Sequence, residues 1–358
     1  MADMKAAQCE FHLIKAWLPC IKPSFKAAVH SISDITIEGM TNTHRIMSMR
    51  AIDHSRYLVN SHGSGSGSGS QVNTYVVDMV AMTVDVVAMT WNGVKSLLNE
   101  DIVVTLFCGL TPMHVFKDKT IIGTVDVKGR QTNCANGYPI TDRWIQELYD
   151  DIFIIDIQMS LYRLKWSDIK QGKYDRKSLV DTQVEDFYAT KDRLAILKMD
   201  GTLNLGIRRL DLRTIRPEAA KIMWTIVIRA ARHWIVSGDL DGQAIIASIN
   251  DKTTFRRSLT INTQAFYRNM HSLHTVIDRR SASVMLACER DGFSHLLSVD
   301  SRGVILLIQS LNTMIPATPE YSDKKFYALI QSVCRCQRGG DIIVAGVKWM
   351  KLVSIRIK

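Results

Sequence analysis

Three short clusters in this sequence carry side chains able to do chemistry. His271 and His274 in MHSLHTV stand three apart. On a helix that spacing lets two imidazoles share a metal, but in a strand it points them to opposite faces. Cys334 and Cys336 flank Arg335, and this i,i+2 spacing in a strand puts both thiols on one face. No CxxC pair and no two further ligands stand beside them, so a zinc site is not read there. Asp150 and Asp151 are adjacent carboxylates that point apart in an extended chain. They mark a solvated turn ahead of the apolar run IFII. The sequence also has no P-loop, no GxGxxG behind a strand, no HExxH and no GxSxG. The expectation is a protein that is not an enzyme and uses no cofactor or metal.

Charge is the stronger signal. The 358 residues have a formal net charge of +10. Residues 191–280 alone hold sixteen Lys/Arg against eight Asp/Glu. The basic side chains there are mostly arginines: Arg208, Arg209, Arg213, Arg216, Arg229, Arg232, Arg256, Arg257, Arg279 and Arg280. Planar guanidinium forks suit phosphates and carboxylates. One reading is a basic face for nucleic acid or an acidic protein. The other is edge protection, since charges on an outer strand prevent unwanted strand pairing.

These residues need elements to position them. The chain is 46% apolar and 22% charged, the composition of an ordered globular protein. Short apolar runs ending in turns recur along it: RYLVNSHG, DIVVTLFCG, DIFIIDIQM, DRLAILKMDG, RHWIVSGDLDG, ASVMLACERDG and DIIVAGVKW. Each suits a strand buried on both faces. A second strand follows each turn, and three turns contain Asp-Gly, which accepts the positive φ of a tight hairpin. Hairpins repeating at roughly 45-residue intervals predict propeller blades of four strands. Fainter first strands are read in HRIMSMRAI, VVAMTW, IMWTIVIRAA, SLHTVID and FYALIQSVC. Fourth strands are read in TIIGTVDV, FRRSLTIN and VILLIQSL. Residues 128–150 and 168–190 give no clear strand pattern.

The fold class expected is therefore all-β, a seven-bladed β-propeller of four-stranded blades. The last unit stops after its third strand, so a ring needs a strand from elsewhere to close its open edge. The N-terminal segment is expected to complete it, through DITIEG (34–39) or FHLIKAWL (11–18). Residues 1–33 are read as an N-terminal arm and 34–358 as one propeller.

The stretch SGDLDGQAIIASIN (237–250) resembles the second and third strands of a WD40 repeat. Ser237-Gly238 and Asp241-Gly242 match that family's pattern, while Ala247-Ser248 stand in the Trp-Asp place. KMDGTLNLGI matches Asp-Gly-Thr, and LYRLKWSD keeps a tryptophan, Trp166, followed by Ser167. The resemblance implies a diverged WD40-like propeller, with the family's blade-stapling His–Asp network left open. It also implies that the central hairpin turns gather on one docking rim. Lys198, Asp241, Arg290, Asp291, Lys348 and Trp349 occupy those turns and are the partner-binding candidates. Trp349 is either an exposed anchor or an indole wedged against its own blade.

One turn is anomalous. SHGSGSGSGSQ separates two strand-like stretches, and a regular Gly-Ser coil contributes no packing. Residues 63–70 are read as an engineered replacement of a long hairpin loop in the first blade. The alternative is a junction between two chains, 1–62 and 71–358. Seven cysteines, an odd number, fit reduced thiols. The N-terminal residues lack a secretory layout, and no apolar run is long enough to span a membrane. The expectation is a nuclear or cytoplasmic scaffold that binds protein subunits or peptides without inserting into membranes. A nucleic-acid-associated propeller is the alternative.

Overall fold

The computed structural model describes residues 27–37, 44–63, 71–81, 83–91, 93–107, 111–128, 145–215, 217–241, 243–262, 270–279, 282–289, 294–311, 332–336, 340–346 and 349–357. They form seven four-stranded antiparallel sheets, each a blade. Blade 1 holds β2 (His44–Ala51), β3 (Arg56–Gly63), β4 (Gln71–Asp78) and β5 (Thr83–Trp91). Blade 2 holds β6 (Gly93–Asn99), β7 (Ile102–Phe107), β8 (Pro112–Lys117) and β9 (Thr120–Lys128). Blade 3 holds β10 (Ile145–Leu148), β11 (Asp151–Ile155), β12 (Leu161–Lys165) and β13 (Ser178–Asp181). Blade 4 holds β14 (Val184–Ala189), β15 (Leu194–Lys198), β16 (Thr202–Leu205) and β17 (Arg208–Asp211). Blade 5 holds β18 (Met223–Ala230), β19 (His233–Leu240), β20 (Gln243–Ile249) and β21 (Phe255–Asn262). Blade 6 holds β22 (Met270–Asp278), β23 (Ala282–Glu289), β24 (Ser294–Asp300) and β25 (Ile305–Leu311). All seven hairpins expected from the sequence are the second and third strands of these sheets.

Blade 7 closes the circle with strands from both ends of the sequence. Its order is β26 (Ser332–Arg335), β27 (Asp341–Gly346), β28 (Trp349–Ile357), then β1 (Ala27–Asp34). The register runs from Ala27 opposite Ile357 to Asp34 opposite Lys351. Lys351 Nζ donates to Asp34 Oδ1 at 2.8 Å. The closing strand thus precedes most of DITIEG, of which Asp34 alone belongs to it; residues 11–18 lie outside the described residues. AAVHSISD alternates weakly, and half of it faces solvent, so its pattern carries little strand signal.

Two other expectations change. VVAMTW belongs to the outer strand of blade 1, paired with β4, and β6 opens blade 2 instead. An apolar run shows that a strand exists but not which neighbour it pairs with. Trp166 does not end a strand: β12 stops at Lys165 and a five-residue helix, α1 (Trp166–Lys170), follows. The unassigned regions contribute β10, β13 and β14, two of them only four residues long.

The described residues contain seven apolar clusters, each shared by two adjacent blades. This is why the second strands read as continuous apolar runs: every side chain of β7 is buried, packed against a neighbour on either face. Polar stitches between inner strands accompany the packing. The Gln146 amide donates to Phe187 O and accepts from Ala189 N, joining blade 3 to blade 4. The buried Asp186 carboxylate accepts from Val227 N at 2.7 Å, joining blade 4 to blade 5. Thr275 Oγ1 donates to Arg229 O, joining blade 6 to blade 5. Each stitch satisfies a backbone group that the channel wall would otherwise leave without a partner.

Candidate docking rims and central channel

Antiparallel order gives the ring two unlike rims. One, the crossing rim, carries the turns between second and third strands and the crossings between blades. The other, the turn rim, carries the turns between first and second strands and between third and fourth strands.

Of the partner-binding candidates, Lys198, Asp241 and Trp349 fall at the crossing rim. Lys198 is half-buried and committed across the blade 3 to blade 4 boundary: Nζ contacts Asp181 Oδ1 at 2.6 Å and also donates to Thr182 O. Asp241 is exposed in its turn with φ of 50°. Trp349 is 4% exposed and belongs to the core shared by blades 6 and 7. Its indole lies over Gly346, where a Cβ would fall 2.3 Å from the ring. Trp349 is thus the indole wedged against its own blade, and it offers no exposed anchor. Arg290, Asp291 and Lys348 lie outside the described residues. Met199 and Met223 stand exposed on this rim beside the blade 4 to blade 5 crossing.

The arginines of residues 191–280 do not share one surface. Arg209 reaches Asp200 at 3.8 Å, and Arg213 forks onto Asp211 at 2.7 Å, both toward the crossing rim. The Arg213 bonds hold the Asp211 carboxyl at about 2. Arg208 lies toward the turn rim and donates to Asp251 O at 2.5 Å. Arg229 is interior: Nη1 and Nη2 take both Asp251 carboxylate oxygens at 2.7 and 3.0 Å. Arg232 and Arg279 are exposed in first-to-second strand turns of blades 5 and 6. Arg256 and Arg257 fall on the outer strand β21. Arg216 and Arg280 lie outside the described residues.

Asp251, which no sequence pattern singled out, organises the blade 4 to blade 5 boundary on the turn rim. Besides Arg229 it receives Trp234 Nε1 at 2.9 Å and pairs with Arg193 at 3.2 Å. The Arg229 guanidinium lies 4.5 Å from the Trp234 ring centroid. Burial pushes the Asp251 carboxyl up; the Arg229 hydrogen bonds and charge, then Arg193 and Trp234, outweigh it and hold the carboxyl below its ordinary value. In blade 3, Trp166 Nε1 donates to Glu147 Oε1 at 2.9 Å, and Glu147 also pairs with Arg50 of blade 1 at 2.8 Å. These Trp–carboxylate bonds staple their blades where a Trp-Asp ending is missing from the sequence.

At the turn-rim end of the channel lies a cavity of about 480 Å³. Its walls are the inner strands of blades 3 to 7, with Gln146, Thr190, Arg229, His274, Asp278 and Arg335 among the lining residues. His274 lies on β22, and the His271 side chain is not among those described. Cys334 and Cys336 are both buried, as free thiols, in the core shared by blades 7 and 1. Burial raises the Cys336 thiol above its ordinary value. Asp150 caps the turn after β12, accepting from Ser167 N and Oγ at 2.9 and 2.6 Å. Among the described residues no group of three or more His, Cys, Asp or Glu side chains is placed to hold a metal. No helix there is long and apolar enough to cross a membrane.

No family model and no curated protein sequence matches the chain. Solved structures do. A chain of the mitotic checkpoint complex superposes with a TM-score of 0.58 at 10% identity, covering 91% of this chain and 94% of that one. The N-terminal domain of Nup159 gives 0.57 at 10% identity, covering 93% and 96%. BamB from Moraxella catarrhalis gives 0.52 at 11% identity, covering 92% and 97%. Together with the ring described above, these likenesses define the class of fold: a seven-bladed β-propeller. That fold is the one the WD40-like resemblance in the sequence implied.

Proposed function

We propose that this protein is a docking propeller, a non-catalytic scaffold subunit of an intracellular multiprotein assembly. The observation that carries the reading is large apolar side chains held in water on both rims of a closed ring. Val80, Tyr149 and Ile207 stand 80%, 70% and 104% exposed on the turn rim, and Met199 and Met223 stand 58% and 60% exposed on the crossing rim. Exposed aromatic and aliphatic side chains on a rigid frame suit protein contacts. The similar propeller chain within the mitotic checkpoint complex supports this reading. Buried free thiols at Cys288, Cys334 and Cys336 support a reducing nuclear or cytoplasmic setting. A nucleic-acid role for the arginines has less support, because those described divide between two rims and several are already ion-paired.

The in-register pairing of β3 with β4, His62 opposite Val72, supports reading residues 63–70 as a substitute for a native hairpin loop. The test restores that loop. Tagged protein carrying it should co-purify with a partner in fixed stoichiometry and migrate as a complex in size-exclusion chromatography. Turnover of a small substrate, abolished by one substitution in the channel, would overturn the reading.

A further inference from the structure

The first-to-second strand turns divide the turn rim by charge. Blades 1 to 3 place Asp53, Glu100, Asp101 and Asp150 there, and blades 4 to 6 place Lys191, Arg193, Arg232 and Arg279, with Asp192 the one carboxylate among the described residues of those turns. Most of the acidic set is engaged: Asp53 with Arg56, Glu100 with Lys170, Asp101 with Lys117. Of the basic set, Arg193 is held by Asp251. Lys191, Arg232 and Arg279 are exposed, with no ion pair among the described residues. The central cavity opens within this basic half. Two guanidinium groups line it, and they differ. Arg229 is saturated by Asp251 and covered by Trp234. Arg335, from the inner strand of blade 7, is exposed and makes no ion pair among the described residues. The one carboxylate lining the cavity, Asp278, is exposed, and its Oδ1 accepts Ala231 N and Ser283 Oγ at the blade 5 to blade 6 boundary.

We propose that this basic half of the turn rim, with the cavity at its centre, binds an acidic peptide segment of a partner protein, one carboxylate entering to meet Arg335. Arg232, Arg279 and Lys191 then receive the flanking carboxylates. The proposal rests on the docking reading and names its partner chemistry. An unpaired guanidinium offers a carboxylate two parallel N–H donors. The cavity admits only a few side chains. A nucleic-acid strand carries the same negative charge, and the oligothymidylate competitor in the test tells the two apart. A short acidic segment fits within the basic half alone.

The test uses the whole chain and a fluorescein-labelled ten-residue peptide of alternating Glu and Gly, with its Gln/Gly counterpart as control. The Glu peptide should bind and the Gln peptide should not. Arg335→Glu should weaken binding about tenfold or more, and Arg279→Glu should weaken it less. Arg213→Glu, on the other rim, should leave it unchanged. Circular dichroism and thermal melting of each variant show that the fold is kept. Equal loss for Arg213→Glu and Arg335→Glu, or displacement by an oligothymidylate of equal charge as effective as by unlabelled Glu peptide, overturns the site. If Arg335→Glu still retains the co-purifying partner in full, this site fails while the docking reading stands. If the unaltered protein retains no partner either, the docking reading fails with it.

Discussion

Asp251 holds four side chains or backbone contacts from two blades on one turn, and its removal leaves the half-buried Arg229 without a counter-charge. Asp251→Ala should lower stability by about 2 kcal/mol, a value reduced for the partial exposure of the group. Urea denaturation checks it. The same group has a pH signature. Its folded carboxyl lies below its ordinary 3.8, so its pairs contribute fully above that value and are lost as pH falls through the lower folded value. Asp251→Asn should therefore flatten the acid limb of stability below pH 4 and leave the slope near neutrality unchanged. Gly238, one of the few WD40-like matches, has a different reason to be small. A Cβ there would stand 2.6 Å from Met223 O and from Ile222 Cγ2. Gly238→Ala should cost roughly 2 kcal/mol through overpacking, read as a lower melting temperature. Gly238 was legible because its Ser-Gly-Asp-Leu-Asp-Gly frame marks a hairpin. Asp251 and Arg335 were not, because their roles come from side chains of different blades meeting across a turn or a channel.

At the scale of elements, legibility followed burial. The second and third strands lie between blades, must be apolar on both faces, and so announce themselves. Outer strands such as β1 and β13 are half solvated, and inner strands such as β10 are short and lined with polar stitches. Period alone located blade 3 but could not place its edges. The closing strand invites a direct trial. A chain lacking residues 1–34 should expose the long edge of β28 and lose its monodispersity in light scattering, with a lower melting temperature. Adding a peptide spanning 27–34 should restore both in part. The Gly-Ser hairpin of blade 1 predicts the opposite sensitivity. Doubling residues 64–70 with further Gly-Ser should shift stability by only about 0.6 kcal/mol, measurable as a small change in the urea midpoint. A larger loss would mean that this segment packs.

At the scale of the molecule, seven shared cores and the stitches between inner strands make each blade depend on two neighbours. The surface then divides by task. The first-to-second strand turns are polarised by charge, and the crossing rim presents methionines near a blade boundary. Sequence composition foresaw the positive excess but not its partition, since residues close in sequence alternate between rims with every reversal of the chain.

Ala27 and Ile357 face each other in one sheet, and this fixes an order of assembly. During synthesis the strand that seals the ring leaves the ribosome before the other strands described, and its partner leaves after them. Until then a length of unpaired backbone must be kept from foreign edges. Cellular production should accordingly be limited by how well that early segment is sheltered, by a chaperone or by the polypeptide around it.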